Sequence, residues 1–136
     1  RVLYHFTDQR NIDSIKKWGL LSWYRLKKLN IHHYPASNQD SRNLDFAANL
    51  GDYVRLCKDK KHPMAYRAYK EGRIGYYNWL EIKDDPTFWK TTKFSNKNAT
   101  ASDALVNFNR STFWESNDPQ AEVLVAGSLS VKWISF

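Results

Sequence analysis

The chain has little cysteine, methionine, proline or glycine: one, one, four and five residues of the 136. A single cysteine excludes an internal disulfide and a thiolate-rich metal site, so we interpret Cys57 as a small core residue. The chain also lacks an apolar run of about 18 residues, so neither a membrane-spanning helix nor a signal peptide is indicated. Hydrophobic residues make up 42%, which is enough for one core, and we predict a single domain over residues 1–136.

Acidic residues are the minority among the charges. Fourteen Asp and Glu face 21 Lys and Arg, which gives a formal net charge of +7. This balance favours a polyanionic partner such as nucleic acid, although scattered lysines on a solvated surface would give the same charge. His32, His33 and His62 have no partners at metal-ligand spacing, so no metal site is predicted. Glycine-rich phosphate loops and a nucleophile-elbow serine are also missing.

The first residues of the chain, 2–7, are β-formers and predict a strand. Successive side chains in a strand point to opposite faces, so His5 and Thr7 share one face with Leu3. Taken alone, the pattern favours an ordinary amphipathic strand whose histidine is hydrogen-bonded for structural reasons. A strand that orients a ligand is the alternative.

Short helices and strands are predicted along the rest of the chain. The polar segment 38–51 carries Arg42, and a structureless segment of this length is uncommon unless it has a role. We predict a helix over 12–18 with Asp8 or Asn11 as its cap, and helices from Ser22 to Leu29, over 63–71 and after a Ser102 cap. Strands are predicted over 52–57, 75–82, 121–125 and 129–136.

Glu122 stands inside an apolar strand. A buried carboxylate is costly unless it has a partner or a task, so this residue is a candidate for chemistry. The alternative is a glutamate on an edge strand or at a strand end that reaches solvent.

The motifs, taken in order, resemble the DarT family of nucleic-acid ADP-ribosyltransferases, which use NAD. The resemblance covers nearly the whole chain. Each motif is weak alone, and their order makes the set specific. The motifs are Leu3-Tyr4-His5-Phe6-Thr7, Gly19-Leu20-Leu21, the Arg42 loop, Asp52-Tyr53-Val54, Pro63-Met64-Ala65-Tyr66, Asn98-Ala99-Thr100 and Ala121-Glu122-Val123-Leu124-Val125.

The resemblance implies an α+β, ADP-ribosyltransferase-like fold. Two small, mainly antiparallel sheets would pack at an angle, with short flanking helices and an NAD cleft between the sheets. Glu122 would stabilise the positive charge that develops on the ribose, and would take the proton from the attacking acceptor. Arg42 would contact the pyrophosphate or assist the transfer.

The resemblance also assigns binding residues. His5 and Thr7 would orient NAD through its ribose hydroxyls and the nicotinamide amide. Tyr66 would stack near the nicotinamide, and Met64 would contact the cofactor beside it. Asn98 and Thr100 would shape the acceptor or ribose pocket.

The function implied is that of a toxin which transfers ADP-ribose from NAD to nucleic acid and needs no metal. A DNA base is the first expectation for the acceptor, with RNA as the competitor. A neutralising antitoxin or immunity protein is expected. We expect the domain to act in the cytoplasm, without membrane association, in a cell that receives it as part of a longer effector. Modification of a protein side chain and an inactive basic nucleic-acid-binding module are the alternatives.

Overall fold

The computed structural model describes residues 1–35, 49–60, 63–72 and 76–136, without the side chain of Met64. These ranges contain nine strands and four α-helices. The helices are α1 (Ile12–Trp18), α2 (Trp23–Lys28), α3 (Pro63–Lys70) and α4 (Arg110–Trp114). The strands are β1 (Val2–Asp8), β2 (Leu20–Leu21), β3 (Tyr53–Leu56), β4 (Tyr77–Lys83), β5 (Lys93–Ser95), β6 (Val106–Asn107), β7 (Glu122–Ala126), β8 (Ser128–Leu129) and β9 (Ile134–Ser135).

The strands form a three-stranded sheet (β1-β4-β9), a four-stranded sheet (β3-β7-β5-β6) and a β2-β8 ribbon. All of these pairs are antiparallel. Reciprocal backbone hydrogen bonds of 2.8 and 2.9 Å between Tyr4 and Cys57 join β1 to the end of β3. The predicted α+β class is confirmed, and the β2-β8 ribbon is an addition to the two sheets that were expected.

The main hydrophobic core combines residues from both larger sheets. Along β7 the side chains alternate, so Val123 and Val125 enter this core while Leu124 packs on the opposite face against Leu50 and Ala99. The main core is formed by Leu3, Ile15, Leu20, Val54, Leu56, Leu80, Ile82, Phe94, Phe113, Ala121, Val123, Val125, Leu129 and Ile134. Both faces of β7 are therefore covered by other side chains, so Glu122 lies on a strand that is shielded from solvent.

Two predicted helix boundaries are confirmed. Gly19 ends α1 with φ +79°, and a Cβ at this position would lie 2.4 Å from the carbonyl oxygen of Leu129. Only glycine therefore allows β8 to approach β2 at this point. Ser22 caps α2, because its Oγ accepts a hydrogen bond from the backbone N–H of Arg25 at 3.2 Å.

Two other element predictions are wrong. The segment after Ser102 does not start a helix: Val106 and Asn107 form β6 opposite β5, and the helix begins later, capped by Asn109. Strand pairing outcompeted the local helical pattern here. The predicted strand 129–136 is interrupted by a 3-10 turn, Val131–Trp133, so its two ends join different sheets.

Candidate active site

A cleft of about 220 Å³ opens where β1, β3 and the first two helices meet. Its walls include residues from β1, from β3, from the loop between β5 and β6, and from the start of β7. The predicted site residues that line it are His5, Thr7, Asn98, Thr100 and Glu122. Predicted site residues as far apart as 5 and 122, a separation of 117 positions, are thus brought to one cavity.

Glu122 is fixed through a single oxygen. Its Oε1 accepts hydrogen bonds from Arg55 Nη1 at 3.0 Å and from the backbone N–H of Ala99 at 2.8 Å. Within the described ranges no protein donor reaches Oε2, so this oxygen is the one available to a ligand. The residue is only 6% exposed and β7 lies between β3 and β5. Glu122 is the first residue of β7, but it is not on an edge strand and does not reach solvent, so the alternative of an edge-strand or strand-end glutamate that reaches solvent is wrong.

The register of β3 on β7 creates the ion pair. Arg55 stands opposite Leu124, and Glu122 lies two residues before Leu124 on the same face of β7. This diagonal arrangement brings long side chains within reach of one another across antiparallel strands. Arg55 is not among the predicted site residues, because its only local signal is alternation with Val54 and Leu56. The pairing of strands 67 residues apart gives it a partner.

His5 is held as a neutral imidazole. Its Nδ1–H donates to the backbone carbonyl of Arg55 at 2.8 Å. Burial lowers the pKa of His5 below its usual value, and the bond to Arg55 only partly opposes this effect. At neutral pH the ring is therefore uncharged, and Nε2 is a hydrogen-bond acceptor for a hydroxyl or amide group.

Thr7 is oriented by Asn11, for which the sequence predicts only a helix cap. Asn11 Nδ2 donates to Thr7 Oγ1 at 3.0 Å and to the carbonyl of Tyr34 at 2.9 Å. Its Oδ1 accepts from the N–H of Tyr34 at 2.8 Å. Because Thr7 Oγ1 accepts this bond, its own O–H remains a donor. Asn11 thus ties the Tyr34 wall of the cleft to β1.

The 98–100 turn supplies the second donor to Glu122. Asn98 Oδ1 accepts from the backbone N–H of Thr100 at 3.0 Å and from its Oγ1 at 2.7 Å. This closed turn directs the N–H of Ala99 at the glutamate. Asn98 and Thr100 therefore orient the carboxylate indirectly, and both also line the cleft.

Of the other three predicted site residues, only Tyr66 has a described side chain. Arg42 falls outside the described residues, as does the side chain of Met64. Tyr66 lies on α3, is 59% exposed and does not line the cleft. Its ring centre is 5.9 Å from Lys70 Nζ. The roles of these three residues stay predictions.

Cys57 lines the cleft but is not a nucleophile. Its thiol is buried, and burial together with the negative charges of Glu122 and Asp59 raises its pKa to about 12. The group is therefore a thiol and not a thiolate at neutral pH. The prediction that Cys57 is a small core residue is confirmed by its 5% exposure.

Two features are absent from the part of the chain that the structure describes. No cluster of three or more His, Cys, Asp or Glu side chains able to hold a metal ion occurs there. None of the helices there has the length and apolar character needed to cross a membrane.

Comparison with known proteins gives matches among solved structures. No protein-family model matches the sequence, and no curated protein matches it either. Thermosipho africanus DarTG in complex with ADP-ribose has a TM-score of 0.82 at 19% identity, over 99% of this chain and 43% of that one. Thermus sp. 2.9 DarT in complex with ADP-ribosylated ssDNA has a TM-score of 0.70 at 18% identity, over 98% of this chain and 78% of that one.

Thermus sp. 2.9 DarT in complex with carba-NAD+ has a TM-score of 0.61 at 20% identity, over 98% of this chain and 79% of that one. The chain thus spans less than half of the DarTG chain and about four fifths of the DarT chains. The resemblance that the ordered motifs indicate is confirmed at the level of the fold: the chain has the fold of the DarT structures.

Proposed function

We propose that the protein is an NAD-dependent ADP-ribosyltransferase that transfers ADP-ribose from NAD to a base of single-stranded DNA and releases nicotinamide. The observation that carries the proposal is Glu122, a buried carboxylate fixed through one oxygen at the edge of a cleft whose wall presents His5 and Thr7. The similar structures, which hold ADP-ribose, carba-NAD+ and ADP-ribosylated ssDNA, support it.

The residues of the cleft fit a dinucleotide. His5 offers an acceptor nitrogen and Thr7 a donor hydroxyl, which suit ribose hydroxyls and a carboxamide. Tyr34 adds an aromatic wall, with the Arg10 guanidinium 3.6 Å from its ring centre on one side. Bound NAD supplies a glycosidic bond to nicotinamide, which breaks with positive charge developing on the ribose.

Glu122 acts on that charge. A carboxylate already oriented by Arg55 and by the N–H of Ala99 stabilises the developing cation without reorganisation. Its Oε2 binds a ribose hydroxyl and takes the proton from the attacking acceptor atom. We assign Arg42 to the pyrophosphate or to the transfer step, as the resemblance implies.

The remaining assignments follow the same resemblance. By it we assign Tyr66, which lies outside the cleft lining, and Met64 to the nicotinamide side of NAD, and Asn98 with Thr100 to the acceptor side. The net charge of +7 supports a nucleic-acid acceptor, because lysines and arginines bind phosphates. DNA is the acceptor we propose, and RNA is a separate arm of the test.

We also propose that residues 1–136 form one catalytic domain of a toxin that acts in the cytoplasm, where NAD and nucleic acid are both present. Unrestrained modification of nucleic acid is harmful to the cell that makes the enzyme. A neutralising antitoxin or immunity protein is therefore part of the proposal. Delivery of the domain within a longer effector is compatible with this role.

The test is transfer of label from NAD labelled in its adenylate part. The protein is incubated with single-stranded DNA, duplex DNA, RNA or cell lysate, and nicotinamide release is followed in parallel. We expect label on single-stranded DNA. Glu122→Gln should reduce transfer by about 100-fold or more while leaving the circular dichroism spectrum unchanged, because the amide oxygen still accepts both hydrogen bonds but carries no charge.

Glu81→Gln is the matched control, since Glu81 is an exposed strand glutamate in the other large sheet. Its transfer rate should equal that of the unmodified protein. Label only on lysate proteins would replace DNA by a protein side chain as the acceptor. Salt-sensitive DNA binding without nicotinamide release would identify an inactive binding module and overturn the proposed enzyme.

A further inference from the structure

A lysine and two aromatic rings lie on the same face of the four-stranded sheet as Glu122. In the β5-β7 register Lys93 stands opposite Leu124 and Ser95 opposite Glu122. Lys93 therefore lies two residues along the strand from the row of the glutamate, a displacement of about 7 Å. We call Lys93, Tyr53 and Phe108 the Lys93 patch.

The members of the Lys93 patch contact one another. Lys93 Nζ is 5.3 Å from the ring centre of Tyr53 and 5.6 Å from that of Phe108, within the range of cation–π attraction. Among the residues that the structure describes, no carboxylate forms an ion pair with Lys93. The Lys93 ammonium group thus contacts two aromatic rings and can still bind an anion.

The patch continues the cleft. Tyr53 lines the cleft, and its ring also contacts Lys93 Nζ. On the far side of Lys93, Phe108 follows the edge strand β6 and is 62% exposed. A surface with one positive charge and a free aromatic face therefore begins where the cleft ends.

The position of Phe108 is fixed by its neighbours. Asn107 Oδ1 accepts hydrogen bonds from the backbone N–H of Asn109 at 3.0 Å and from Thr112 Oγ1 at 2.8 Å. These bonds close the turn that carries Phe108 and connect it to α4. Because the backbone that carries Phe108 is already ordered, only the rotation of its side chain has to be restricted when a ligand stacks on the ring.

We propose that the Lys93 patch binds the nucleotide next to the modified base in a single-stranded nucleic acid. The flanking base stacks on Phe108, and its phosphate contacts Lys93. Aromatic rings stack on any unpaired base, and a lysine neutralises one phosphate, so the patch has the chemistry of a single-strand binding site. This inference rests on the proposed function of the cleft. It adds a contact between the protein and the nucleotide beside the reacting base.

The experiment compares Phe108→Ala, Phe108→Trp and Lys93→Gln with the unmodified protein on a labelled mixed-sequence DNA strand of about 12 nucleotides, within the span of one binding groove. Two matched controls exist. Phe88→Ala removes a ring that is 66% exposed and contacts Arg110. Lys132→Gln removes a lysine 4.7 Å from the ring centre of Trp133.

Loss of one base stack should raise both the KM for the oligonucleotide and its Kd by about 5- to 150-fold in Phe108→Ala. The KM for NAD should stay unchanged, and Phe108→Trp should retain oligonucleotide binding. Lys93→Gln should lower the slope of log Kd against log salt by about 0.7, the value for one phosphate contact on a single strand. Both controls should match the unmodified protein.

Fluorescence anisotropy separates the two proposals, because it measures binding whether or not transfer occurs. Equal oligonucleotide Kd values for Phe108→Ala and the unmodified protein would overturn the patch while transfer to DNA upholds the proposed function. Absence of transfer by the unmodified protein would overturn the proposed function, and the anisotropy values would still decide the patch. Weakening by Phe88→Ala equal to that by Phe108→Ala would reject a specific site.

Discussion

Replacing Arg55 by methionine tests whether the carboxylate at the cleft depends on its buried partner. Arg55 Nη1 lies 3.0 Å from Glu122 Oε1, with side-chain exposures of 21% and 8%. At an effective dielectric constant of about 20, two unit charges at this distance attract by about 5.5 kcal/mol. Methionine fills a similar volume without charge, so the variant leaves Glu122 with the N–H of Ala99 as its remaining described donor.

The expected loss of stability is about 3 kcal/mol. Removing one member of a buried pair typically costs about 3–5 kcal/mol, and the partial exposure of Arg55 puts the value at the lower end. The measurement is urea denaturation of the unmodified protein, Arg55→Met, Glu122→Gln and the double variant. The double variant should be less destabilised than the sum of the single variants by about 1–3 kcal/mol, because no uncompensated charge remains.

Arg25→Met is the control for the same chemistry at the surface. Arg25 Nε lies 3.1 Å from Asp52 Oδ1, but the side chains are 46% and 43% exposed. An exposed pair of this kind contributes at most about 1 kcal/mol. If Arg55→Met were no more destabilising than Arg25→Met, the burial argument would be refuted.

The same variant has a consequence for transfer. Without Arg55, Glu122 Oε1 keeps only one of its two described donors, so the carboxylate can shift. A displacement of about 1 Å reduces transfer by about 100-fold. The assay is label transfer from NAD under conditions where the variant is fully folded. Full activity in Arg55→Met would mean that Arg55 does not position Glu122.

Three further predictions concern the same cleft. Burial lowers the pKa of His5, so the unfolded chain binds the proton more readily than the folded one, and the free energy of unfolding should fall as pH drops below about 6.5. His5→Gln should lack this pH-dependent loss, and identical pH profiles for the variant and the unmodified protein would contradict the prediction. Asn11→Ala should lower the free energy of unfolding by about 1–3 kcal/mol and raise the KM for NAD, because Thr7 and Tyr34 lose their shared partner. An unchanged KM would mean that Asn11 does not support NAD binding. Cys57, with a pKa of about 12, should react with iodoacetamide at neutral pH only after unfolding, and rapid modification of the native protein would refute its burial.

Local patterns predicted the elements whose signals are contained in a few neighbouring residues. The opening strand, the helix that ends at Gly19 and the Ser22 cap are of this kind, because alternation, a left-handed glycine and a capping hydroxyl act over less than two turns. The Ser102 helix failed for the opposite reason. Its residues pair with β5, and backbone hydrogen bonds to a distant strand outweighed a weak local preference.

The candidate site was predictable only in part. His5 and Thr7 share a strand face, which period-two alternation shows directly, and Glu122 is conspicuous as a charge among apolar residues. Asn11 was visible only as a possible cap, and the structure shows no side-chain capping bond because its amide is used between Thr7 and Tyr34. Nothing in the local pattern indicated that second use.

The sequence by itself determined the order of the motifs, the faces of the strands and the resemblance that the fold bears out. Tertiary structure decided which charged residues meet. The register of β3 on β7 pairs Arg55 with Glu122, and the register of β5 on β7 sets Lys93 beside the same face. A shift of one residue in either register would send these side chains to the opposite face. Register depends on the packing of the whole sheet, which no local stretch of residues encodes.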